Sequence, residues 1–115
     1  MTNEEIEKKV EELNLKAETL DGALRLLAEE CAEATQACLK YIRSLDCNFI
    51  DTENALKHLA EEIGDVELAA IGVKTLMKIN NPEFDDLIHS SEEYKVKRWA
   101  TRVESEKGIV VNVNE

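Results

Sequence analysis

The chain has 115 residues and a formal net charge of −11, from 25 acidic and 14 basic side chains. Such a charge repels duplex nucleic acid and anionic membranes, so neither is expected as a partner through bulk electrostatics. One proline and four glycines favour an almost entirely helical protein. The length predicts a single domain over residues 1–115, with its core at about 20–105 and a tail at 106–115.

Four helices are predicted. The first, residues 3–15, is short and charged, with Ile6, Val10 and Leu13 as its apolar stripe. The second begins near Asp21, as N-cap, and ends near residue 45. Its apolar positions follow a helical period, namely Leu24, Leu27, Ala28, Cys31, Ala34, Cys38, Ile42 and Leu45.

The third predicted helix is capped by Asp51 or Thr52 and ends at residues 80–82. Between residues 59 and 79 it is apolar on most of its circumference, which is typical of a helix buried on several sides. So small a chain offers too little surface to bury it, so we expect a homodimer or homotetramer formed through helix packing. A fourth helix is expected at about 85–105, and the β-prone tail after it is expected to be disordered or to pair with another chain.

The cysteines and the N-terminus bear on the cellular setting. No segment is apolar enough for a transmembrane span, and the acidic N-terminus does not resemble a secretory signal. Cys31 and Cys38 are expected to be small core residues, and Cys47 falls in a loop. Their spacing indicates neither zinc nor a disulfide framework, so a reducing, cytoplasmic setting is expected.

Two acidic clusters, at residues 29–33 and 61–65, lie within the second and third helices. Residues three apart on a helix are separated by about 4.5 Å of rise and about 60° of rotation, so each cluster presents a local carboxylate pair. The four carboxylates converge if the two helices pack antiparallel. An all-oxygen set suits Mg²⁺, or Mn²⁺ in its place. The pairs are Glu30 with Glu33 and Glu62 with Asp65.

The neighbours of these side chains separate them from ordinary surface charge. A single acidic cluster is more often a solvated helix face. Glu29 and Glu61, however, each have a basic residue four positions earlier, Arg25 and Lys57, whereas the four selected carboxylates have none at three or four positions. Partly buried carboxylates without basic partners need another source of neutralisation, so a metal site is predicted.

These residues carry a resemblance to a family. The pattern E-E-x-x-E followed by E-x-x-D, on two helices of a small acidic chain, resembles the all-α nucleoside triphosphate pyrophosphohydrolases. This MazG-like superfamily includes dimeric dUTPases, dCTP pyrophosphatases and phosphoribosyl-ATP pyrophosphohydrolases. The resemblance covers about residues 20–80, and its most specific part is the run at residues 61–65.

The resemblance implies a four-helix MazG-like bundle and a reaction. A nucleoside triphosphate or its deoxy form is hydrolysed between the α and β phosphates, giving the monophosphate and pyrophosphate. The implied metal ligands are Glu30, Glu33, Glu62 and Asp65, the same four selected above. Glu29 and Glu61 are candidates to accept the proton of the attacking water or to support the ligands.

The fourth helix carries a basic stripe of Lys95, Arg98 and Arg102, which we expect to contact the triphosphate. Pairing with acidic neighbours on the same helix is an equally open interpretation. Trp99 is expected in the core together with Val96 and Val103, on a different face, and stacking of Trp99 on a base is the less favoured alternative.

The sequence is also compatible with two other functions. A phosphoribosyl-ATP pyrophosphohydrolase would share the fold and the metal motif. A non-catalytic helical dimerisation module would use the acidic clusters as surface or as a structural metal site. His58, one turn before Glu62, is a candidate neighbour of the metal, but neither cluster has the Glu-x-x-His pattern of di-iron bundles, so iron is disfavoured.

Overall fold

The computed structural model describes residues 1–114, which form four α-helices. They are α1 Asn3–Ala17, α2 Leu20–Asp46, α3 Thr52–Asn80 and α4 Phe84–Lys107. No strand occurs within residues 1–114, so the all-α class and the four predicted helices are confirmed, with ends within two residues of those expected. None of the helices in this range has an apolar stretch long enough to cross a membrane.

The chain divides into two compact units. The first, Met1–Ile79, contains α1, α2 and α3, and the second begins at Asn80 and contains α4. Every buried side chain among residues 1–114 belongs to the first unit, and α4 has none. A single domain over the whole chain stays a prediction.

The helix starts show one error in the sequence interpretation. The N-cap of α2 is Thr19, whose Oγ1 accepts a hydrogen bond from the Gly22 backbone N–H at 3.1 Å. Asp21 therefore lies in the first turn, where its negative charge interacts favourably with the positive end of the helix dipole. The expected cap of α3 is confirmed, because Asp51 Oδ1 accepts from the backbone N–H of Glu53 at 2.9 Å.

The loop between α2 and α3 is short, so the two helices run antiparallel. Beside this loop, Thr52 Oγ1 donates to the Ser44 carbonyl oxygen at 3.0 Å. At the far end of the pair, Ala23 of α2 packs in one cluster with Val73 and Leu76 of α3. Contacts at both ends fix the register along the whole length.

Each of these helices has a series of buried or half-buried positions at alternating steps of three and four residues, the spacing of a coiled-coil seam. On α2 the series is Ala23, Leu27, Glu30, Ala34, Ala37, Tyr41 and Ser44. On α3 it is Ala55, Leu59, Glu62, Val66, Ala69, Val73 and Leu76, and all positions of α3 over residues 69–78 are buried or half-buried. We call this interface the α2–α3 seam. Many of its residues are small, and one glutamate from each helix occupies a seam position.

The larger apolar side chains of α2 lie one residue further along, about 100° around the helix. Ile42 is 56% exposed and Leu45 is 61% exposed, and Cys31 and Cys38 are exposed as well. The expectation that these two cysteines are core residues is therefore wrong for the isolated chain. We call the exposed stripe of Leu24, Cys31, Cys38, Ile42 and Leu45 the outer face of α2.

The second unit consists of α4 and the tail. Gly108 caps the C-terminal end of α4. Its φ of 67° is left-handed, and its backbone N–H donates to the Glu104 carbonyl oxygen at 2.9 Å. The tail over residues 108–114 has no strand, and its pairing with another chain stays a prediction.

Candidate metal centre

The antiparallel register of the seam brings three carboxylates together. One oxygen each from Glu30, Glu62 and Asp65 lies within 4.8 Å of the others. Glu30 lies near the middle of α2, and the other two lie near the middle of α3. Three of the four side chains that the spacing of the acidic clusters predicted to converge therefore form one group.

Burial distinguishes the members of this group. Glu62 is only 8% exposed, Glu30 is half-buried, and Asp65 is exposed. The Oε2 atoms of Glu30 and Glu62 are buried, and neither accepts a hydrogen bond from any residue in the described part of the chain. A buried carboxylate oxygen without a donor is costly, so these two atoms are oriented for a ligand that can neutralise them.

Both glutamates have raised pKa values. For Glu30, loss of solvent is the main cause of the raised pKa, followed by the negative charges of Glu33, Asp65, Glu62 and Glu29. For Glu62, loss of solvent again raises the pKa most, followed by the charge of Glu33. The ionised site is therefore unfavourable by itself, as expected where carboxylates are gathered to bind a cation.

Glu33 is the fourth predicted ligand, and it lies at the edge of the group. It is exposed and is not among the three residues whose oxygens lie within 4.8 Å of one another. The negative charge of Glu33 nevertheless contributes to the raised pKa of Glu62. Glu33 is therefore a charged neighbour of the three-carboxylate group and not a member of it.

His58 lies beside the group, as its position one turn before Glu62 predicted. Its Nδ1 is 3.7 Å from Glu62 Oε1, a distance suited to charge attraction and too long for a hydrogen bond. When protonated, the imidazole opposes the rise in the Glu62 pKa. His58 therefore supports the most buried carboxylate from the second turn of α3.

Glu29 and Glu61 are both exposed, but their expected basic partners pair elsewhere. Arg25 Nε lies 2.9 Å from Asp21 Oδ2, and Lys57 Nζ lies 3.8 Å from Glu53 Oε1. Both pairs place the acid four residues before the base, which is the more favourable order on a helix. The assumption that Arg25 and Lys57 neutralise Glu29 and Glu61 is therefore not supported.

A cavity of about 590 Å³ opens beside the carboxylates, among α1, α2 and α3. Glu29, Glu30 and Asp65 line one part of it. Apolar side chains from all three helices line the rest, including Leu13, Leu26 and Leu68. The sequence interpretation missed this cavity because it depends on where α1 packs.

Asn14 of α1 also lines the cavity, and the sequence interpretation did not select it. Its Nδ2 donates to the Val10 carbonyl oxygen at 2.8 Å. Across from it, Gly72 of α3 is buried, and a Cβ added there would lie 2.7 Å from Asn14 Oδ1. The missing side chain at residue 72 thus gives room for the Asn14 amide. The sequence did contain a signal for Asn14, since it is a polar residue that lies four positions after Val10 on the apolar stripe of α1.

The second unit contains a separate cationic surface on α4. Lys95, Arg98, Trp99 and Arg102 surround a shallow cavity of about 390 Å³. Trp99 is 61% exposed and Val96 is exposed too, so their predicted place in the core is wrong, while Val103 is half-buried. Residues 95, 99 and 102 are separated by four and three positions, which places the indole on the same helix face as the basic stripe.

The donor set of the metal centre suits a hard divalent cation. Mg²⁺ binds oxygen at about 2.1 Å, so two of its ligand oxygens lie at most about 4.2 Å apart. The three carboxylate oxygens lie within 4.8 Å of one another, which is close to that limit. With two buried oxygens that lack donors, the residues fit a magnesium ion.

No family model matches the chain, and no curated protein and no solved structure shows significant similarity to it. The chemistry of these side chains and the motif resemblance they carry are therefore the features that point to a function.

Proposed function

We propose that the protein is a magnesium-dependent nucleoside triphosphate pyrophosphohydrolase, which converts a ribo- or deoxyribonucleoside triphosphate to the monophosphate and pyrophosphate. The observation that carries the proposal is the pair of buried, donorless oxygens, Glu30 Oε2 and Glu62 Oε2, in a group with Asp65. The position of cleavage comes from the resemblance of the two acidic motifs to the MazG-like enzymes.

Glu30, Glu62 and Asp65 would hold Mg²⁺, or Mn²⁺ in its place, with Glu33 available at the edge. When bound, such an ion neutralises phosphate charge and lowers the pKa of a bound water. The half-buried position of Glu30 and the deep burial of Glu62 limit access of bulk water, which strengthens charge interactions there.

Glu29 and Glu61 are the proposed acceptors of the proton from the attacking water. Both are exposed, each precedes a proposed metal ligand by one residue, and carboxylates commonly accept protons in catalysis. Glu29 also lines the cavity next to Glu30, which favours it over Glu61 for this role. Glu61 would then support the ligands from the solvent side of α3.

On α4, Lys95, Arg98 and Arg102 are proposed to bind phosphate oxygens. Guanidinium groups donate paired hydrogen bonds to phosphate, and the three basic side chains line one cavity with Trp99. Arg98 also lies 5.7 Å from the centre of the Tyr94 ring, which restricts the guanidinium group.

Self-association is part of the proposal. The outer face of α2 leaves Leu24, Ile42 and Leu45 exposed in the isolated chain. A contiguous apolar stripe of this kind is typical of an interface between subunits. We propose a homodimer or homotetramer in which this face is covered by another copy.

The proposal is tested by measuring pyrophosphate release. Purified protein is incubated with Mg²⁺ and a panel of ribo- and deoxyribonucleoside triphosphates together with phosphoribosyl-ATP. Pyrophosphate formed from a nucleoside triphosphate, and abolished by chelation, is the expected result. Activity on phosphoribosyl-ATP alone would identify that hydrolase instead, and no activity on any substrate would favour a non-catalytic helical module.

A further inference from the structure

We infer that the cavity among α1, α2 and α3 binds the nucleobase of the substrate, and that Asn14 recognises the base by hydrogen bonding. The inference rests on the proposed function and narrows it, because inorganic polyphosphates and sugar phosphates lack the group that the cavity selects.

The position and size of the cavity favour a ligand that also reaches the metal centre. Its volume of about 590 Å³ falls within the range of small-molecule sites. Glu30 and Asp65 belong both to the carboxylate group and to the cavity wall, so one ligand contacts both. A nucleotide suits both regions, because it has a charged phosphate end for the metal centre and a flat, largely apolar base for the cavity.

Asn14 stands out among the residues that line the cavity. Its side chain is the only uncharged polar one among the described residues that form the wall. The polar alternatives are less suitable, since Glu18 is negative and Arg25 is already paired with Asp21. A neutral base therefore finds its best hydrogen-bonding partner at residue 14.

The hydrogen-bonding capacity of Asn14 matches the edge of a base. An asparagine amide has two N–H donors and a carbonyl acceptor. One N–H donates to the Val10 carbonyl oxygen, which fixes the plane of the amide and leaves one donor and the acceptor. Nucleobases present adjacent donors and acceptors that asparagine can bind with both atoms.

Gly72 provides an independent way to disturb this amide. A Cβ at residue 72 would lie 2.7 Å from Asn14 Oδ1 and 3.0 Å from its Cγ, so the side chain must move. Gly64, on the same helix, is the matched control, because a Cβ there has nothing within 4 Å. Gly72→Ala and Gly64→Ala make the same chemical change with different consequences for Asn14.

The test is equilibrium binding of the four deoxynucleoside monophosphates and of ribose 5-phosphate, in the presence of Mg²⁺, by isothermal titration calorimetry. We expect at least one monophosphate to bind about tenfold more tightly than ribose 5-phosphate, the ratio that two hydrogen bonds supply. Asn14→Ala and Gly72→Ala should each lower that ratio, because they remove or displace the amide that makes the two hydrogen bonds. Gly64→Ala should leave it unchanged, and Mg²⁺ affinity should be the same in all four proteins.

Wild-type protein supplies a readout that does not depend on any variant folding. The side-chain amide resonances of Asn14 should shift on addition of the preferred monophosphate and stay in place with ribose 5-phosphate. Equal binding of the two ligand types, no binding of any monophosphate at millimolar concentration, or unmoved Asn14 resonances would each overturn the inference. If the protein still released pyrophosphate in the presence of Mg²⁺, the proposed function would stand without the inferred base site. If it bound a base selectively without hydrolysis, the base site would stand and the proposed function would be rejected.

Discussion

The two faces of α2 are not separated by hydrophobicity alone, because small and polar residues are buried on one face while large apolar residues are exposed on the other. The face in the α2–α3 seam contains Ala23, Ala37 and Ser44, all buried, together with the half-buried Glu30. The outer face contains the larger Ile42 and Leu45, both exposed. Small residues let two helices approach closely, which suits a seam where carboxylates from both helices meet, and Leu27 and Tyr41 lie in the same seam. Other large apolar residues of α2 lie on the outer face.

This arrangement has an energetic consequence. A fully buried leucine or isoleucine contributes about 1.5–3 kcal/mol through the hydrophobic effect, and alanine contributes much less. A seam that is rich in alanine and contains Glu30 and Glu62 is therefore weakly stabilised by apolar burial. Covering the outer face in an oligomer would supply burial that the seam lacks.

The largest expected effect comes from the carboxylates of the seam. Glu62→Gln, Glu30→Gln and Asp65→Asn keep side-chain size but remove the charge that holds the ion, so turnover should fall by about 100-fold or more. Glu33→Gln is expected to act in the same way. Glu29→Gln and Glu61→Gln should be milder, because they leave the ion bound and each removes only one of two neighbouring candidate proton acceptors. Pyrophosphate release at saturating Mg²⁺ measures each effect.

Glu67→Gln is the matched control for these variants, since Glu67 is an exposed glutamate of α3 outside the group. It should retain full turnover. Loss of activity in Glu29→Gln and Glu61→Gln with full activity in Glu30→Gln and Asp65→Asn would show that the wrong faces of both helices had been assigned.

The outer face is tested by a change of charge. Ile42→Lys places a cation within the apolar stripe, so the oligomer should dissociate, while the same change at an exposed polar position such as Gln36 should not dissociate it. Light scattering at micromolar concentration measures the mass. A wild-type mass equal to the 13.0 kDa monomer would refute self-association.

The close approach within the seam is tested by overpacking. Ala37 is only 2% exposed, so Ala37→Leu should lower the free energy of unfolding by about 1–3 kcal/mol. Ala32→Leu introduces the same side chain at an exposed position of α2 outside both the seam and the outer face, and should have little effect. Urea denaturation of both variants measures the difference, and equal stabilities would contradict the described seam.

The smallest expected effect is a dependence of stability on pH in metal-free protein. The pKa of Glu62 is raised above the ordinary glutamate value of 4.5, so the folded state binds more protons than the unfolded state just above that pH. Stability contributed by this group therefore increases as the pH falls toward and through its raised pKa. Compared with wild type, Glu62→Gln in chelator should be more stable at neutral pH and show a smaller gain on acidification. A Glu62→Gln variant less stable than wild type at neutral pH would contradict this sign.

Much of the fold followed from the sequence for identifiable reasons. The helix-forming composition predicted an all-helical chain, and the residues at the ends of α3 predicted its bounds, Thr52–Asn80. The three-residue spacing of Glu62 and Asp65 predicted that their carboxylates lie in one group. The buried face of α2 was harder to predict, because hydrophobicity ranks leucine and isoleucine above alanine. Close packing instead selected Ala23 and Ala37.

Other features depend on tertiary register, which periodicity along one helix does not contain. The approach of Asn14 to Gly72 requires the relative positions of α1 and α3. The exposed position of Trp99 follows from helix spacing alone, since it lies four residues after Lys95, but a lone tryptophan was expected in a core. Glu33 is exposed and lies outside the group of three carboxylates, although its three-residue spacing from Glu30 predicted a ligand.

The central claim is that Glu30, Glu62 and Asp65 bind a divalent cation. Titration of chelator-treated protein with Mn²⁺, followed by electron paramagnetic resonance, measures this directly because bound and free Mn²⁺ have different spectra. We expect saturable binding in wild type and in Glu67→Gln, competition by Mg²⁺, and loss of binding in Glu62→Gln. Undiminished binding in Glu62→Gln, or no saturable binding in wild type, would contradict that claim.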